Sequence, residues 1–547
     1  MTHTGLVARV LIDSPLPQLD HLFDYGIPPE LAEIARPGVR VTVPFRTTGR
    51  VATGYLIEVV DPHAAPGSDA ASADTGLPFT GTLSPLESVI SAAQVLAPEI
   101  WRLARKVADR SAGNASDIIR LAVPPRQVRV EKAWLAAAEA TEQGAHDTVA
   151  GEPAAPETVA PESAPAGWDS ADPGSAASGP AAPSPAFSGY PDGAIPAVLA
   201  ERRRVAVAAL PRLTRLPDGS TIGTWAVTLA ELGVAALRAG QSAILAVPDY
   251  RDQDQVHAAL DLLAPAGSVS RVDARQTNPE RYRAFLACLG TEPRIILGNR
   301  SAVYAPAPNL GVIAFWDDGD PLYAEPLSPY VHARDAALVR QQDAGCALVL
   351  LGHSRSVEVQ RLVELGWLGE ISPSTAQHPR VIPTDFQGAL APEARAARIP
   401  STAWKTAREA LAAGPVLVQV ASPGYAPVLA CQTCKKAARC TRCQGPLGLA
   451  SSGATPACRW CGALAVGWRC AHCEGTTYRL VTVGSARTAE ELGRAFPGVR
   501  VIVADGDHPL QQVGAAPALV IATRGAEPIA AGGYTAVLLL DGERMLA

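Results

Sequence analysis

The stretch from Cys431 to Cys473, CQTCKKAARCTRCQGPLGLASSGATPACRWCGALAVGWRCAHC, constrains this chain more than any other. It holds four C-x-x-C knuckles: Cys431/Cys434, Cys440/Cys443, Cys458/Cys461 and Cys470/Cys473. A C-x-x-C turn presents two thiolates to one tetrahedral cation. Four such turns therefore supply two closed four-thiolate zinc sites, two zinc ions per chain, with no position left for a substrate water. Sites of that kind are structural, not catalytic. The competing reading is a disulfide framework, which belongs to secreted domains in oxidising compartments. The opening MTHTGLVARVLIDSPLPQLD has no basic segment, apolar run and small-residue cleavage site in succession, so export is not expected. Four knuckles can pair as neighbours, cross-braced or nested, and the short spacer between Cys434 and Cys440 closes under any of these. His472, inside the last knuckle, reads as a neighbour of the metal, because the thiolates already complete two sets.

Charge is the second signal in this stretch. Lys435, Lys436, Arg439, Arg442, Arg459 and Arg469 lie within it, and there is no Asp or Glu, although the whole chain carries a formal charge of −6. The thiolate charge is held at the metals while the long cationic side chains reach solvent. Interleaved with Trp460 and Trp468, such a surface suits a phosphate backbone and unstacked bases. Equally, the tryptophans can fill the small core between the metals while the arginines solvate it.

At 547 residues the chain is too long for one core and should hold three to five domains. A mean hydropathy of +0.10 and 18% charged residues are ordinary for a soluble protein, and no apolar run is long enough to cross a bilayer. The two isolated cysteines, Cys288 and Cys346, fit a reducing cytosol, and the expected location is cytoplasmic, in association with the nucleoid. Overall acidity excludes a globally basic coat, so DNA must be met by patches.

Residues 5–61 alternate short β-like runs with turns: LVARVLID, FDYGIP, GVRVTVPF and ATGYLIEVV. They predict a small twisted barrel or sheet, with HAAPGSDAASADTG as a mobile loop. From Pro98 to about Val123, apolar residues at helical spacing predict helices packed on that sheet, giving a first domain over 1–125. From Ala137 to Pro196 the composition collapses to Ala, Pro, Ser, Gly and Glu, and no Lys or Arg occurs between Lys132 and Arg202. Residues 126–200 therefore read as a disordered acidic linker. VAVAAL, SAILAVP, RIILGN, GVIAFW and CALVLLG then alternate with helical patterns over 201–395, which means a parallel sheet covered on both faces. A second α/β series begins over 396–430 and resumes over 474–547, with the zinc stretch (431–473) inserted after one of its strands. The expected fold is multidomain α/β: a β-rich amino-terminal domain, two lobes with parallel sheets, and an all-cysteine metal unit.

Twin α/β lobes suggest a nucleotide-driven motor, and a motor needs G-x-x-x-x-G-K-[ST] to cradle phosphates. The five lysines are Lys106, Lys132, Lys405, Lys435 and Lys436, and none follows a glycine. The nearest remnant, Gly219-Ser220-Thr221-Ile222-Gly223-Thr224, has neither the spacing nor the cation. Asp317 and Asp318 follow GVIAFW where paired carboxylates often hold Mg2+. Without a phosphate loop they read as a solvated strand end.

Taken together, these landmarks resemble the PriA family of primosomal replication-restart proteins over essentially the entire chain. Phe23-Asp24-Tyr25, Pro28 and Gly38-Val39-Arg40-Val41-Thr42-Val43-Pro44-Phe45 sit where that family's 3′-end-binding domain has FDY…P and GxRVxVPF. The resemblance implies that Phe23, Asp24 and Tyr25 line the pocket for a terminal nucleotide. Arg46, in place of a family glycine, narrows that pocket or adds a phosphate contact. Leu297-Gly298-Asn299-Arg300-Ser301-Ala302 and Pro306-Ala307-Pro308-Asn309-Leu310-Gly311 are similar to the family's GTRSA…PNLG. Gly424-Tyr425-Ala426-Pro427 matches its R-G-[FY]-A-P without the arginine.

The resemblance also implies the nested pairing, with Cys431, Cys434, Cys470 and Cys473 on one zinc and Cys440, Cys443, Cys458 and Cys461 on the other. Departures fall on motor motifs. DEEH becomes Trp316-Asp317-Asp318-Gly319, GSATP becomes Gly352-His353-Ser354-Arg355-Ser356, and GTQM becomes Ala522-Thr523-Arg524-Gly525. This is similar to helicase-degenerate members of the family, whose RecA-like lobes persist as scaffold. The family continues beyond the strand that precedes Ala547, so a truncated record is expected. The implied function is fork recognition and primosome assembly without helicase activity. The implied partners are branched, forked or single-stranded DNA, other primosome proteins, and the replicative helicase or its loader; no membrane is implied. The alternatives are an ATP-dependent 3′-to-5′ helicase with a divergent site, and a protein scaffold that does not touch DNA.

Overall fold

The structure is a computed structural model that describes residues 5–45, 50–61, 83–149, 187–273, 275–375, 378–383, 399–481, 483–540 and 542. The chain divides into two compact units, Met1–Pro211 with Thr224–Ala376, and Arg212–Gly223 with Gln377–Ala547.

The first unit opens with five strands, β1 (Val7–Ile12), β2 (Leu22–Gly26), β3 (Val39–Phe45), β4 (Arg50–Val60) and β5 (Ser88–Gln94). They form an antiparallel sheet in the order β2-β1-β4-β3-β5. Four of the strands coincide with the alternating runs; β5, SVISAAQ, is too small and polar to announce itself. Side-chain alternation sorts the strands onto two faces. Ala8, Val10, Ile12, Tyr25, Val39, Val41, Val43 and Leu56 form one core. Leu11 points the other way, into a larger core shared with helices α1 (Pro98–Ser111) and α2 (Ala115–Ala122) and with the sheet that follows.

Helix α3 spans Val128–Val149, and α4 spans Ala194–Ala200. This corrects the expectation of a disordered linker over 126–200. Composition averaged over the window hid a helix whose first turn is anchored by a buried polar cluster. Glu131 is completely buried and accepts from Arg126 Nε at 2.7 Å, lies 3.4 Å from Arg40 Nη1, and takes a short hydrogen bond from the Tyr282 hydroxyl. Arg40 also donates to Tyr282 at 3.0 Å and to the Pro124 carbonyl at 3.2 Å. Residues 150–186 of the expected linker, the loop HAAPGSDAASADTG and Arg46 lie outside the described residues.

The larger sheet of this unit has seven parallel strands. They are β6 (Arg204–Ala208), β9 (Ser242–Ala246), β10 (Val269–Val272), β11 (Ile295–Gly298), β12 (Leu310–Trp316), β13 (Ala347–Gly352) and β14 (Gly369–Ile371), in the order β10-β11-β9-β12-β13-β6-β14. The central strands are buried end to end, as continuous apolar runs require in a doubly covered sheet. Helices α5 (Thr224–Arg238), α6 (Tyr250–Leu263), α7 (Asn278–Cys288), α8 (Ala333–Ala344) and α9 (Val357–Glu364) accompany it. Asp249 caps α6 through Arg251 N and Asp252 N, and a Thr277–Glu280 capping box starts α7.

The second unit includes a hairpin that sequence alone assigns to the first lobe, β7 (Leu213–Arg215) and β8 (Thr221–Gly223). Gln512 Nε2 donates to the Thr221 carbonyl at 3.4 Å, within the same unit. Helices α10 (Ser401–Ala410) and α11 (Ser485–Ala495) cover a parallel sheet of β15 (Val416–Val420), β20 (Arg500–Ala504), β22 (Ala518–Thr523) and β24 (Ala536–Leu539), in the order β20-β22-β15-β24. A short parallel pair, β21 (Gln512–Val513) and β23 (Ile529–Ala530), lies beside it in sequence. Between β15 and α11 the chain leaves to form the cysteine-rich unit, with β16 (Leu429–Cys431), β17 (Leu447–Gly448), β18 (Ala457–Cys458) and β19 (Tyr478–Leu480). The two ends of that excursion are tied together. β16 pairs antiparallel with β19, Gly424 N donates to Ser485 Oγ at 3.1 Å, and Ala486 N donates to the Gly424 carbonyl at 3.0 Å. A side chain at Gly484 would sit 2.1 Å from the Gly424 oxygen, so only glycine permits this closure.

Candidate metal centres and nucleic-acid interface

Each knuckle repeats one local conformation. The residue after its second cysteine, Lys435, Gln444, Gly462 or Glu474, has a positive φ of 57–71°. That turn aims backbone N–H groups at the first sulfur: Arg442 N lies 3.4 Å from Cys440 Sγ, and Trp460 N lies 3.4 Å from Cys458 Sγ. Donation from Cys434 N and Cys461 N in turn draws the Cys431 and Cys458 thiols down to about 6. Against donation from Gly445 N and Gly475 N, neighbouring sulfurs push Cys443 and Cys473 up to about 12, so the turns favour a thiolate at the first cysteine of each knuckle.

The knuckles come together as Cys431, Cys434, Cys470 and Cys473, and as Cys440, Cys443, Cys458 and Cys461, with all sulfurs of a set within 4.8 Å of one another. This is the nested arrangement. Cys431–Cys473 and Cys434–Cys470 are each 3.5 Å apart, Cys440–Cys461 3.8 Å and Cys443–Cys458 3.4 Å. A tetrahedron with metal–sulfur bonds of about 2.3 Å has edges of about 3.8 Å, whereas a disulfide needs about 2.05 Å. All eight are free thiols, and each set can hold one metal ion. His472 Nδ1 faces Lys436 Nζ at 3.4 Å and belongs to neither set.

The two tryptophans part company. Trp468 is buried, and its Nε1 donates to the Arg439 carbonyl at 3.1 Å, in a core with Leu429, Leu447 and the inner sulfurs. Trp460 is 70% exposed, and its ring lies across Gly445, where a Cβ would come within 2.9 Å of the indole. Lys435, Lys436, Arg439, Arg442, Arg459 and Arg469 are all exposed, and among the described residues none of them forms an ion pair. Lys435 and Arg439 reach only carbonyls, those of Gln432 and Gln444. The unit thus presents one exposed indole and a set of unneutralised cations.

On the amino-terminal sheet, β2 carries Phe23, Asp24 and Tyr25, and alternation separates them. Tyr25 is buried in the sheet core, and Phe23 packs on that same core with the His21 ring tilted against it at 4.2 Å. Asp24 faces the other way, 3.6 Å from Arg9 Nε. Phe23 and Tyr25 thus share one face of the sheet and Asp24 takes the other; of the three, only Asp24 presents a charged group.

The phosphate-loop remnant lies in the second unit. Gly219–Gly223 is half of the β7–β8 hairpin, in which Leu213 pairs with Gly223, Thr214 with Ile222 and Arg215 with Thr221. Gly219 N donates to the Leu216 carbonyl, and Ser220 N to Asp218 Oδ1. A phosphate cradle needs such amides pointing at the ligand. Immediately after the hairpin, Trp225 of α5 stacks on Trp316 at the end of β12, with centroids 4.0 Å apart and planes 7° apart, and His353 meets Trp316 edge-on at 5.2 Å.

Asp318 is not a solvated strand end, contrary to expectation. It is buried and accepts from Arg334 Nη1 at 3.0 Å and from Ser356 Oγ at 2.6 Å, while Arg334 also lies 3.4 Å from Glu358. The arginine comes from α8, sixteen residues on, and nothing in the sequence near Asp318 signals it. A cavity of about 420 Å3 between Ala208, Gly352–Val357 and Gln360 remains beside this pair.

Among the described residues no helix is long and apolar enough to cross a membrane. Residues 9–124 match the family model of the 3′DNA-binding domain (3′BD). The chain is 40% identical over 541 residues to the "Probable replication restart protein PriA" of Mycobacterium bovis, covering 97% of this chain and 73% of that one. To the protein so described from Mycobacterium leprae it is 40% identical over 536 residues, covering 96% and 74%. The "Replication restart protein PriA" of Bacillus subtilis is 26% identical over 233 residues, which are 42% of this chain and 29% of that one. With its strand-end domain, its parallel lobes and its two four-cysteine sets, this chain belongs to the PriA family of replication restart proteins.

Proposed function

We propose that this protein binds stalled or branched replication forks in the cytoplasm, at the nucleoid. It helps assemble the primosome and reload the replicative helicase, and it does not itself turn over ATP. The observation that carries the last point is the Arg334–Asp318 pair. A carboxylate at the end of that strand would have to face Mg2+, yet it is closed by a guanidinium at 3.0 Å, with both side chains under one-tenth exposed. Replacing the guanidinium with a hydrated cation would take its buried partner from Arg334, at a cost of several kcal/mol. Phosphoryl transfer depends on charge placed around the phosphates, and here no lysine follows a glycine and the end of the same strand carries Trp316, stacked on Trp225. In this reading the lobes serve as scaffold.

The DNA contacts are divided between the amino-terminal domain and the cysteine-rich unit. Asp24 meets the end of a strand, with Phe23 and Tyr25 supporting β2 and Arg46 adding a phosphate contact. Two zinc ions hold the knuckles, and Lys435, Lys436, Arg439, Arg442, Arg459 and Arg469 track phosphates while Trp460 stacks on a base. The ions shape this surface and take no part in chemistry. Protein partners of the primosome, including the replicative helicase or its loader, dock on the same unit.

The test is a band-shift titration of forked against linear duplex DNA, together with an ATPase assay on the same preparation. Preferential fork binding without hydrolysis is expected; equal, weak binding to both DNAs refutes fork recognition. The twin parallel sheets favour a second reading, a divergent 3′-to-5′ helicase, and DNA-stimulated ATP hydrolysis by the pure protein would establish it.

A further inference from the structure

The cysteine-rich unit is built from successive antiparallel rungs, and one end of that ladder is open. Beyond the β17–β18 pair, Ala457 bridges to Leu464, with Cys458 N donating to the Ala463 carbonyl at 2.9 Å and Ala465 N to the Pro456 carbonyl at 2.7 Å. Residues 463–466 are therefore a further rung. Ala457 and Leu464 face each other as a pair that exchanges no hydrogen bonds, so the N–H and carbonyl of Leu464 point away from β18. Among the described residues neither group has a partner. Side-chain alternation divides the rung. Ala463 and Ala465 pack on the core of the unit, whereas Leu464 is 67% and Val466 80% exposed. The rung carries no proline or charge of the kind that ordinarily keeps an open strand from pairing.

We propose that residues 463–466 are a strand-addition site for an extended acidic peptide segment of a protein partner. Such a segment supplies an acceptor for the Leu464 N–H, a donor for its carbonyl, and apolar side chains at every second position to cover Leu464 and Val466. A nucleic-acid backbone offers phosphate acceptors but no N–H to match the carbonyl, and neither exposed side chain has a ring for a base to stack on. A second copy of this chain would bring like charge against like, because Cys431 to Cys473 holds six Lys and Arg and no Asp or Glu. The same imbalance selects carboxylates on the incoming segment. This inference rests on the reading that protein partners dock on the cysteine-rich unit, and names the edge and the chemistry by which they do so.

The experiment is fluorescence anisotropy of the full chain with a labelled octapeptide of alternating valine and glutamate. The same peptide with lysine in place of glutamate should bind about tenfold more weakly or worse. N-methylation of alternate residues removes the donors from one edge of the peptide at a time. One of the two methylated peptides should lose about tenfold or more in affinity, as expected for lost backbone hydrogen bonds, while the other binds like the parent. Leu464→Ser and Val466→Ser should each weaken the acidic peptide by about tenfold, with melting temperature, metal content and affinity for single-stranded oligothymidylate unchanged. If melting shows one variant to be unfolded, the other decides the matter. No binding of the acidic peptide, no preference over the basic one, or equal behaviour of the two methylated peptides overturns strand addition. Loss of oligothymidylate affinity in the serine variants would make DNA the occupant, and loss of a self-association seen by sedimentation would make it a second copy; either result overturns the proposal. The docking reading is measured apart, by titrating the replicative helicase and its loader against the full chain. Their binding without that of the peptide removes the edge alone, and the reverse removes the docking reading alone.

Discussion

Replacing Glu131 with alanine should loosen the attachment of the amino-terminal sheet to the first lobe. The carboxylate is completely buried and shared by Arg40 of β3, Arg126 and Tyr282 of α7, so it links three parts of the first unit. Removing it leaves the Arg40 guanidinium, 13% exposed, facing a cavity without a counter-charge. Breaking a buried pair from one side costs about 3–5 kcal/mol, and the lost acceptor for Tyr282 falls within that figure rather than adding to it. Arg126, 25% exposed, can turn to solvent and contributes little. At about 1.4 kcal/mol per tenfold change, the opening equilibrium should rise roughly a hundred- to a few-thousand-fold. Hydrogen–deuterium exchange in peptides covering Val39–Phe45, Val128–Ala140 and Asn278–Cys288 would read this, with the second unit as an internal control. Protection unchanged within about threefold in those peptides would refute the reasoning.

The pH dependence has a definite sign. Burial by itself would raise this carboxyl, but hydrogen bonds from Tyr282, Ser91 and Arg126, with the charge of Arg126, hold it below its ordinary value of 4.5. A depressed folded-state value stabilises the fold above the ordinary value and loses that stabilisation as pH falls through the folded one. The stability gap between the unsubstituted protein and Glu131→Gln should therefore be full at pH 7 and should close as the pH falls below 4.5.

Three further outcomes are expected. Metal analysis should return two zinc ions per chain, and Cys431→Ser or Cys440→Ser should each abolish one site; an unchanged metal content in either variant would contradict the grouping. Trp460→Ala should weaken single-stranded DNA binding by about 1–3 kcal/mol without changing the melting temperature, whereas Trp468→Ala should cost about 3–5 kcal/mol of stability in the cysteine-rich unit; titration and melting of both variants separate these effects. Asp505 accepts from Ser485 Oγ at 2.7 Å and from His508 Nδ1 at 2.9 Å, bonds that outweigh burial and keep its carboxyl below the ordinary range. Asp505→Asn should therefore destabilise the second lobe by about 1–3 kcal/mol at neutral pH, with the difference fading in acid, as followed by urea denaturation.

Local patterns in the sequence carried much of the fold. The runs VAVAAL, SAILAVP, RIILGN, GVIAFW and CALVLLG became β6, β9, β11, β12 and β13, because a strand covered on both faces must be apolar throughout. Short strands whose pairing depends on distant partners, such as β5, β10 and β14, left no such trace. Helix α3 went unread because its anchor is a single glutamate, and two of its three partners lie 91 and 151 residues away. The candidate site divides in the same way. Phe23, Asp24 and Tyr25 stand together in the sequence, and strand alternation alone separates Asp24 from its neighbours.

What the amino-acid sequence determined by itself was chemistry at short range: eight thiols in knuckles, six cations with no carboxylate between Cys431 and Cys473, and the absence of a lysine after glycine in any phosphate loop. A C-x-x-C turn needs only its own few residues to aim two sulfurs, so its ligand character is written locally. Which knuckle meets which, which tryptophan is buried, and whether Asp318 faces solvent or Arg334 were decided only in the tertiary structure. Each of these depends on residues that are brought together by packing a core and closing an insertion, and a charge or an indole takes its character from what finally surrounds it.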